Sequence, residues 1–527
     1  MLHRRRHCGR ERVHGEDGMN RASILDGLRR ELHSRWPEWS ALFLYSGLVA
    51  FAIPYHEPSA DVAQAWQLAR CLSLHDLFQT YIRYEGSPGL WHFILWILIR
   101  AHVSYSGLPW FCGAIAVGAA ALLLFKSTFP RYIKLVLPFT FFLLFQYAIV
   151  ARSYVLVPIL LFLTAMWWKR SPLVLALLLG LMANLALHAA VISGGLAIVY
   201  CLEQVRNKSV KNHNRRRQLL WSAFILLGFW AFALWTAWPP HDLTNYLSFR
   251  LHTSWDVFLF RALSSLFLAV CQPWLLSIPF WIAIAICLHA RRCFFYMIPV
   301  LFFAAFCGVV ASDWWHYGLI VPLVICLLWI TWPALGERAT PRETVGRIAL
   351  IVMAGVQILW SAYALQFDHY NAYSPDLATA EFLRPFVLKG NTIAITDLDD
   401  QRAHAAAFYS VGVLPYFDHN IFVNQPNSFW SWSNQNSTED SFKKVLPLHP
   451  DVVIVGVYGV SPDDPSIHMH PKIQLIEHAG YKFTHMFCGA MPEGLRLGNN
   501  NCDLIYQRID SVQELPATIP SSTSVTR

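Results

Sequence analysis

The feature that most constrains this chain is a series of thirteen apolar blocks that fills its first two thirds. The blocks are rich in Leu, Ile, Val, Phe, Ala and Trp, and short polar or basic stretches separate them. They lie at about 36–54, 88–104, 109–125, 134–150, 153–168, 172–187, 189–202, 218–237, 260–273, 274–289, 294–312, 317–333 and 347–365. A helix that spans a bilayer needs about 20 apolar residues, so the blocks predict an α-helical polytopic membrane protein.

Basic residues orient this membrane domain, because Lys and Arg in short loops stay on the cytoplasmic side. The first 35 residues contain nine arginines. Further basic runs lie at 126–134, 169–170, 206–217, 291–292 and 338–347. All of these basic runs lie on the cytoplasmic side if 88–125 and 260–289 each cross the membrane only once. We attribute the single crossings to interruption of the apolar blocks by Arg100 and Pro273. This assignment gives eleven transmembrane segments and simple block counting gives thirteen. Both place the C-terminal tail outside.

The distribution of charge supports the same orientation. Only 14% of the 527 residues are charged, against about 25% in average proteins. Residues 366–527 hold 10 Lys and Arg against 17 Asp and Glu, a balance of −7, whereas the rest of the chain holds 31 against 16, a balance of +15. We therefore expect a basic cytoplasmic face, an acidic extracytoplasmic domain and no nucleic-acid partner.

The sequence predicts four parts. A basic cytoplasmic segment (1–35) precedes a transmembrane domain (36–365) whose first outer loop is 55–87. A small extracytoplasmic α/β domain (366–510) and a disordered tail (511–527) follow. In the α/β domain, short apolar runs typical of strands alternate with a helical pattern. Cys488 and Cys502 are candidates for a disulfide if this domain lies outside the cytoplasm.

The first outer loop carries the polar residues most suggestive of chemistry. Pro58-Ser59 is a helix-start signal with Ser59 as N-cap, which places Asp61 in the first turn. Ser73 begins a second short helix, and the chain returns to the bilayer after Glu85. The loop therefore has two surface helices with an acid at each end.

Several stretches match a known pattern. Bacterial loops that read "RDEAQAW…ARDLSL…YEGHPPLW" and a later "RHHGL" are similar to Asp61–Trp66, Ala69–Leu74, Tyr84–Trp91 and His316–Leu319, and Ala151–Leu156 adds a further match. On these motifs the chain resembles the GT-C superfamily of polytopic glycosyltransferases, which includes protein O-mannosyltransferases and lipid A aminoarabinose transferases. The resemblance covers roughly residues 36–330, and the tail matches by position only.

The resemblance implies a GT-C-like fold and transfer of a sugar from a polyprenyl-phosphate-linked donor to a lipid, glycan or protein acceptor outside the membrane. An acceptor hydroxyl must lose a proton as it attacks, which requires a base, and the leaving phosphate requires cationic or hydrogen-bonding groups. We expect the following roles: Asp61 as catalytic base, Glu85 as a second catalytic carboxylate, Arg152, Tyr154, Arg83 and His316 as donor-phosphate ligands, and Glu57 and His188 as acceptor-binding or supporting residues.

The sequence also departs from this pattern. Val62 stands where the family has a second acid, Ser87-Pro88-Gly89 replaces "HPP", and Trp315 replaces an arginine. A divalent metal is therefore left as an open expectation without assigned ligands. Two other functions stay open, an isoprenoid-lipid transporter or flippase and a degenerate GT-C scaffold. The absence of an internal sequence repeat favours the enzyme over the transporter. We expect a multi-pass protein of the bacterial inner membrane with a cytoplasmic N-terminus.

Overall fold

The structure is a computed structural model that describes residues 34–207, 213–242, 254–291, 293–310, 312–332, 340–398, 410–425, 427–433, 445–458, 467 and 469–509. The predicted N-terminal segment, except for its last two residues, and the predicted tail 511–527 lie outside these ranges.

The described chain is mostly helical, as predicted. Its helices of eight or more residues are α1 Trp36–Ala52, α2 Ala60–Cys71, α3 Leu90–Arg100, α4 Leu108–Lys126, α5 Leu156–Trp167, α6 Pro172–Ala183, α7 Leu187–Arg206, α8 His213–Ala237, α9 Trp255–Phe267, α10 Ser277–Ala290, α11 Ile298–Val309, α12 Ile320–Thr331, α13 Pro341–Tyr370, α14 Asp376–Leu388 and α15 Pro471–His478.

Five helical stretches in the described ranges are long and apolar enough to cross a membrane: Tyr105–Lys126, Leu187–Arg206, His213–Ala237, Trp314–Thr331 and Pro341–Tyr370. Five shorter apolar stretches of 10–17 residues accompany them: Leu90–Arg100, Ser153–Trp167, Pro172–Ala183, Trp274–Ala290 and Phe294–Val309. These helices confirm a multi-pass helical membrane protein. The eleven to thirteen spans of the prediction were counted on apolar blocks, several of which form helices shorter than a bilayer requires.

One apolar block does not form a continuous helix. Residues 134–150 contain a 3₁₀ turn at Leu137–Phe139 and a π-helical turn at Phe142–Gln146, followed by further turns. Pro138 lacks the backbone N–H that a helix interior requires. Residues 140–151 are nevertheless all buried, so this block packs inside the bundle as irregular backbone surrounded by protein. It leads directly to Arg152.

Helix α3 illustrates the broken segments that the charge pattern predicted. Its eleven residues rise about 16 Å, roughly half the thickness of a bilayer core. Arg100 at its C-terminus donates to the carbonyl of Ala69 in α2 at 2.8 Å and stacks on Trp96 with its guanidinium carbon 4.0 Å from the ring centroid. The end of α3 therefore lies against the first-loop helix, as expected for a segment that does not cross alone.

Basic residues gather at one end of the membrane body. Near the start of α1, Glu38 forms ion pairs of 3.0 Å with Arg131 and with Lys134. Near the start of α13, Glu343 forms an ion pair with Arg291. The sequence predicted these basic positions to be cytoplasmic, and the structure groups them at the N-terminal ends of α1 and α13.

The opposite ends of the same helices carry acidic and histidine residues. α1 ends just before His56, whose Nδ1 lies 3.0 Å from a carboxylate oxygen of Asp368 in the last turn of α13. His188 lies in the first turn of α7, whereas Arg215 donates to Tyr200 near the other end of α7. The bundle therefore has a basic end and an end that holds His56, His188 and Asp368.

A four-stranded mixed sheet follows the membrane body. Its strands are β1 Ile393–Asp397, β2 Val452–Tyr458, β3 Tyr481–Glu493 and β4 Arg496–Arg508, in the order β1-β2-β4-β3. β1 and β2 are parallel, and β4 is antiparallel to both β2 and β3. Apolar residues alternate between two cores, one against α14 and the other against α15. The predicted small α/β domain is thus present.

Cys488 of β3 and Cys502 of β4 face each other across the hairpin and form a disulfide, as the sequence suggested. The segment between β1 and β2 docks on the first-loop helix. Arg70 donates to the carbonyl of Phe417 at 3.0 Å, and Gln67 donates to the carbonyl of Ser428 at 2.9 Å. These contacts place the C-terminal domain over the end of the bundle that holds the histidines.

Candidate functional site

Arg152 lies at the centre of the candidate site, and its side chain is only 8% exposed. Its Nη2 atom lies 2.5 Å from Oδ2 of Asp61 and donates to Oγ of Ser59 at 3.0 Å. Its guanidinium carbon lies 4.5 Å from the centroid of the Trp315 ring, a cation–π contact. Its Nε atom is buried and has no hydrogen-bond partner among the described residues. A buried guanidinium with an unused N–H is suited to bind one more anionic oxygen.

Asp61 presents its carboxylate at the start of α2. The side chain is 43% exposed although one of its oxygens is held by Arg152, so a ligand can approach it. Ser59 is the N-cap residue of this helix, as predicted, but its side chain makes no capping hydrogen bond. Its hydroxyl is instead used by Arg152. The start of α2 is thus fixed by an ion pair that joins it to the irregular block of the bundle.

Two histidines predicted separately from the sequence stack on each other. The rings of His188 and His316 are 4.2 Å apart and nearly parallel. Nε2 of His188 lies 2.8 Å from the hydroxyl of Ser312, and Nδ1 of His316 accepts from the backbone N–H of Asp313 at 2.9 Å. Tyr154 packs edge-on against His316 at 5.5 Å. Since His316 follows Trp315 directly, the pair lies beside Arg152.

Glu85 lies in a separate, enclosed position at the end of the first loop. Its Oε2 accepts from the side-chain amide of Gln64 at 2.7 Å. Burial, with a smaller contribution from nearby Asp61, raises the pKa of Glu85 to about 8, although hydrogen bonds from the backbone of Trp432 and the hydroxyl of Ser431 act to lower it. Glu85 is therefore largely protonated at neutral pH, whereas Asp61 faces a cation. The C-terminal domain supplies part of the Glu85 environment.

Arg83, predicted as a phosphate ligand, is placed elsewhere. Its Nε donates to the carbonyl of Trp238 at 3.1 Å, just beyond the C-terminal end of α8. The adjacent Tyr84 donates to Asp242 at 2.8 Å. These contacts attach the first loop to the segment after α8. The sequence did not determine on which side of the loop Arg83 would lie.

Glu57, predicted as an acceptor-binding or supporting residue, is 4% exposed and lies at the junction with the C-terminal domain. It is close enough to Asp376 to raise the pKa of that carboxyl, although burial and the neighbouring Asp503 contribute more. Burial raises the pKa of Asp503 to about 7, against a hydrogen bond from Thr379. Glu57 therefore belongs to a buried acidic cluster between the two domains.

Three residues that the sequence did not identify form a connected group, of which Tyr373 interacts electrostatically with Arg152. Tyr373 is buried, and its ring centroid lies 4.4 Å from that of His56. His56 in turn is held by Asp368, as described above. Asp368 has a recognisable sequence signal, because it is an acidic residue close to the end of the last apolar block. Tyr373 had no local signal, because its position depends on how the C-terminal domain docks.

Val62, which replaces the second acid of the family pattern, is 3% exposed and packs in an apolar cluster with Trp66 and Trp91. A carboxylate there would be buried among apolar groups. The described residues contain no group of three or more His, Cys, Asp or Glu side chains that would hold a metal ion. The buried guanidinium of Arg152 fits an anionic or hydroxyl-bearing ligand.

Neither a scan against protein-family models nor a search of curated proteins finds a match to this chain.

Proposed function

We propose that the protein is a membrane glycosyltransferase that moves a sugar from a polyprenyl-phosphate-linked donor to a lipid, glycan or protein acceptor at the outer face of the membrane. The observation that carries this proposal is the ion pair between exposed Asp61 and buried Arg152, whose Nε is left with no hydrogen-bond partner among the described residues. A base for a hydroxyl and a cation for a phosphate are the two groups that this reaction needs.

In the proposed reaction, the oxygen of the acceptor hydroxyl attacks the anomeric carbon of the sugar, and Asp61 accepts the proton of that hydroxyl. The bond from that carbon to the phosphate oxygen breaks, and the electron pair stays on the polyprenyl phosphate. Arg152 stabilises the departing phosphate, with Tyr154 and His316 beside it. A positioned base typically contributes a rate increase of about 10²–10⁴-fold.

Glu85 has a different role because it is largely protonated at neutral pH. A protonated carboxyl donates a hydrogen bond, and we assign that bond to a hydroxyl of the acceptor. Asp61, paired with Arg152, then serves as the base, and protonated Glu85 serves as the hydrogen-bond donor. Glu85 keeps its proton because burial raises its pKa by more than the hydrogen bonds from Gln64, Ser431 and the backbone of Trp432 lower it.

Two observations support an extracytoplasmic site. The disulfide between Cys488 and Cys502 belongs to a domain that docks over the site, and disulfides persist mainly in oxidising compartments. The ion pairs of Arg131 and Arg291 lie at the other end of the bundle, where positive charge favours the cytoplasm. The bacterial inner membrane, with the acidic domain outside, agrees with both.

The test is release of polyprenyl phosphate from a mixture of polyprenyl-phosphate sugars by the purified full-length protein. Asp61→Asn removes the base, so we expect release to fall by about 10²–10⁴-fold. Asp76→Asn is the matched control. It changes another first-loop aspartate, whose partner is the Ser73 hydroxyl at 2.7 Å, and it should leave release unchanged.

Equal release by wild type and Asp61→Asn would remove Asp61 from the mechanism. No release by wild type with any donor would instead favour the transporter or the degenerate scaffold. Flux of labelled polyprenyl lipid across proteoliposomes then separates those two, since only a transporter moves the lipid.

A further inference from the structure

The hairpin of β3 and β4 reaches from the C-terminal domain back to the membrane body. The backbone N–H of Ala490 donates to the carbonyl of Ala372 at 3.0 Å, and Met491 packs against the large core cluster of the bundle. At the turn, a Cβ placed on Gly494 would lie 2.8 Å from Oε1 of Gln272, in the loop between α9 and α10. The hairpin tip therefore lies on the bundle, away from the sheet that it extends.

The contact with the bundle is a close one between backbones. A Cβ placed on Gly489 would lie 2.5 Å from Cα of Ser374 and 2.7 Å from the carbonyl carbon of Tyr373. Only glycine permits that approach. The hairpin thus lies directly on the segment that carries Tyr373, and Tyr373 belongs to the surroundings of Arg152.

We propose that the hairpin tip is part of the substrate site, where Glu493 binds hydroxyl groups of the transferred sugar. This inference rests on the proposed function. Glu493 is the last residue of β3 and is half-buried at the tip. It lies close enough to Asp313 and Tyr373 to interact electrostatically with each. Both of those residues in turn interact with Arg152, so the hairpin tip lies near the Arg152 site.

The chemistry suits a sugar. A carboxylate offers two acceptor oxygens, and neighbouring hydroxyls of a sugar ring are donors at matching separation. Burial and nearby Asp313 raise the pKa of Glu493, which is consistent with a carboxylate that gains from a hydroxyl ligand. In the proposed reaction Asp61 serves the acceptor hydroxyl, which leaves recognition of the transferred sugar to another acid.

The disulfide holds this tip in place. Cys488 is adjacent to Gly489, and its bond to Cys502 joins the two strands of the hairpin between the sheet and the tip. Loss of the disulfide should loosen the tip and weaken sugar binding through Glu493. The effect of the disulfide and the effect of Glu493 are therefore coupled.

The experiment measures kcat and KM for the lipid-linked sugar with the full-length protein. We expect Glu493→Gln to raise KM by about 10-fold or more, the usual loss for a hydrogen bond to a charged group, with Glu493→Asp intermediate. Glu477→Gln, on α15 of the same domain, is the matched control and should leave KM unchanged. The melting temperature of Glu493→Gln should equal that of wild type, which a merely structural role would not predict.

A double-mutant cycle tests the coupling. The Cys488→Ser/Cys502→Ser pair should raise KM in the wild-type background and add little to Glu493→Gln. Wild-type activity with an unchanged KM in Glu493→Gln, or with fully additive effects, would overturn this inference and leave the proposed function intact. A wild type that neither binds nor turns over any polyprenyl-phosphate sugar would overturn both.

Discussion

Nη2 of Arg152 lies 2.5 Å from Oδ2 of Asp61, and this ion pair joins the first outer loop to the irregular block inside the bundle. The same nitrogen donates to Ser59, two residues before Asp61. A single guanidinium therefore fixes the start of α2 while its planar face rests on Trp315. Loss of any one of these contacts moves the carboxylate on which the proposed reaction depends.

Arg152→Lys should reduce turnover by roughly 100-fold or more, even though the charge is kept. An ammonium is a point charge that reproduces neither the planar stacking nor the fork of N–H donors. Arg100→Lys is a matched control, because Arg100 also stacks on a tryptophan and donates to carbonyls but lies outside the site. The measurement is the turnover of both variants in the polyprenyl-phosphate assay. Equal losses of turnover in the two variants would mean that Arg152 acts only through the stability of the protein.

The pH profile of turnover should report Glu85. Its pKa of about 8 means that the protonated form, which donates the proposed hydrogen bond, disappears as the pH rises through 8. Wild-type kcat should therefore fall above about pH 8, while Glu85→Gln, which cannot ionise, should keep its activity there. The measurement is kcat from about pH 6 to about pH 10. A fall of equal size in Glu85→Gln would assign the profile to another group.

Stability should respond to Asp503 in the opposite sense from most carboxylates. Burial raises its pKa to about 7, so its stabilisation is complete below the pKa of the unfolded chain, about 4, and is lost as the pH rises through 7. Asp503→Asn should remove that loss and raise stability at about pH 8 by on the order of 2 kcal/mol. Thermal melting of the full-length protein against pH gives the measurement.

Asp451→Asn provides a control of opposite sign in the same sheet. Burial acts to raise the pKa of Asp451, but hydrogen bonds from Thr392 and the nearby Arg508 outweigh it and lower the pKa. Asp451 therefore stabilises the fold above its unfolded pKa and loses this effect as the pH falls. Asp451→Asn should lower the melting temperature at neutral pH, and parallel shifts in the two variants would contradict this account.

Gly489→Ala should displace the hairpin from the bundle. The added methyl group would meet backbone atoms of Ser374, which cannot turn aside as a side chain can. We expect a lower melting temperature and a higher KM for the lipid-linked sugar. Gly228→Ala, in α8, meets nothing within 4 Å and should raise helix stability by up to about 1 kcal/mol. If Gly489→Ala changed the melting temperature in the same way as Gly228→Ala, the close docking of the hairpin on the bundle would be refuted.

Membrane orientation has a direct test in cysteine labelling of intact cells with an impermeant maleimide. In a Cys71→Ser background, His75→Cys in the first loop should react from outside. Asn207→Cys, at the basic end of α7, should react only after the cells are permeabilised, because positive charge holds that end in the cytoplasm. Reaction of Asn207→Cys in intact cells would reverse the orientation.

The sequence predicted the helical class, three of the four strands and the disulfide because each leaves a local signal. Apolar blocks and alternating strands are periodic, and the two cysteines of the tail had no other candidates in that domain. Strand β4 lacks such a signal, because Asn499–Asn501 interrupt its apolar pattern and asparagine is depleted in strands. Only its pairing with β2 and β3 makes Arg496–Arg508 a strand.

Within the site, the sequence identified residues whose charge or polarity is unusual for their surroundings. Arg152 and His188 lie in apolar stretches, where a polar or charged side chain is costly and is usually retained for a function. What the sequence did not determine was which of these groups meet. The positions of Arg83 and Glu57, and the roles of Tyr373 and Glu493, depend on contacts between segments hundreds of residues apart.

Strand β4 also determines when the C-terminal sheet can assemble during synthesis of the chain. It is the pairing partner of both β2 and β3, yet it comes after both of them in the chain, so β3 has no sheet to join until Arg496–Arg508 has been synthesised. A ribosome that has finished the bundle has made Asp61 and Arg152 but has not yet provided the hairpin above them. The proposed enzyme would then bind its sugar weakly while nascent, and premature chain termination near residue 495 would leave a membrane body whose hairpin is not held by a sheet.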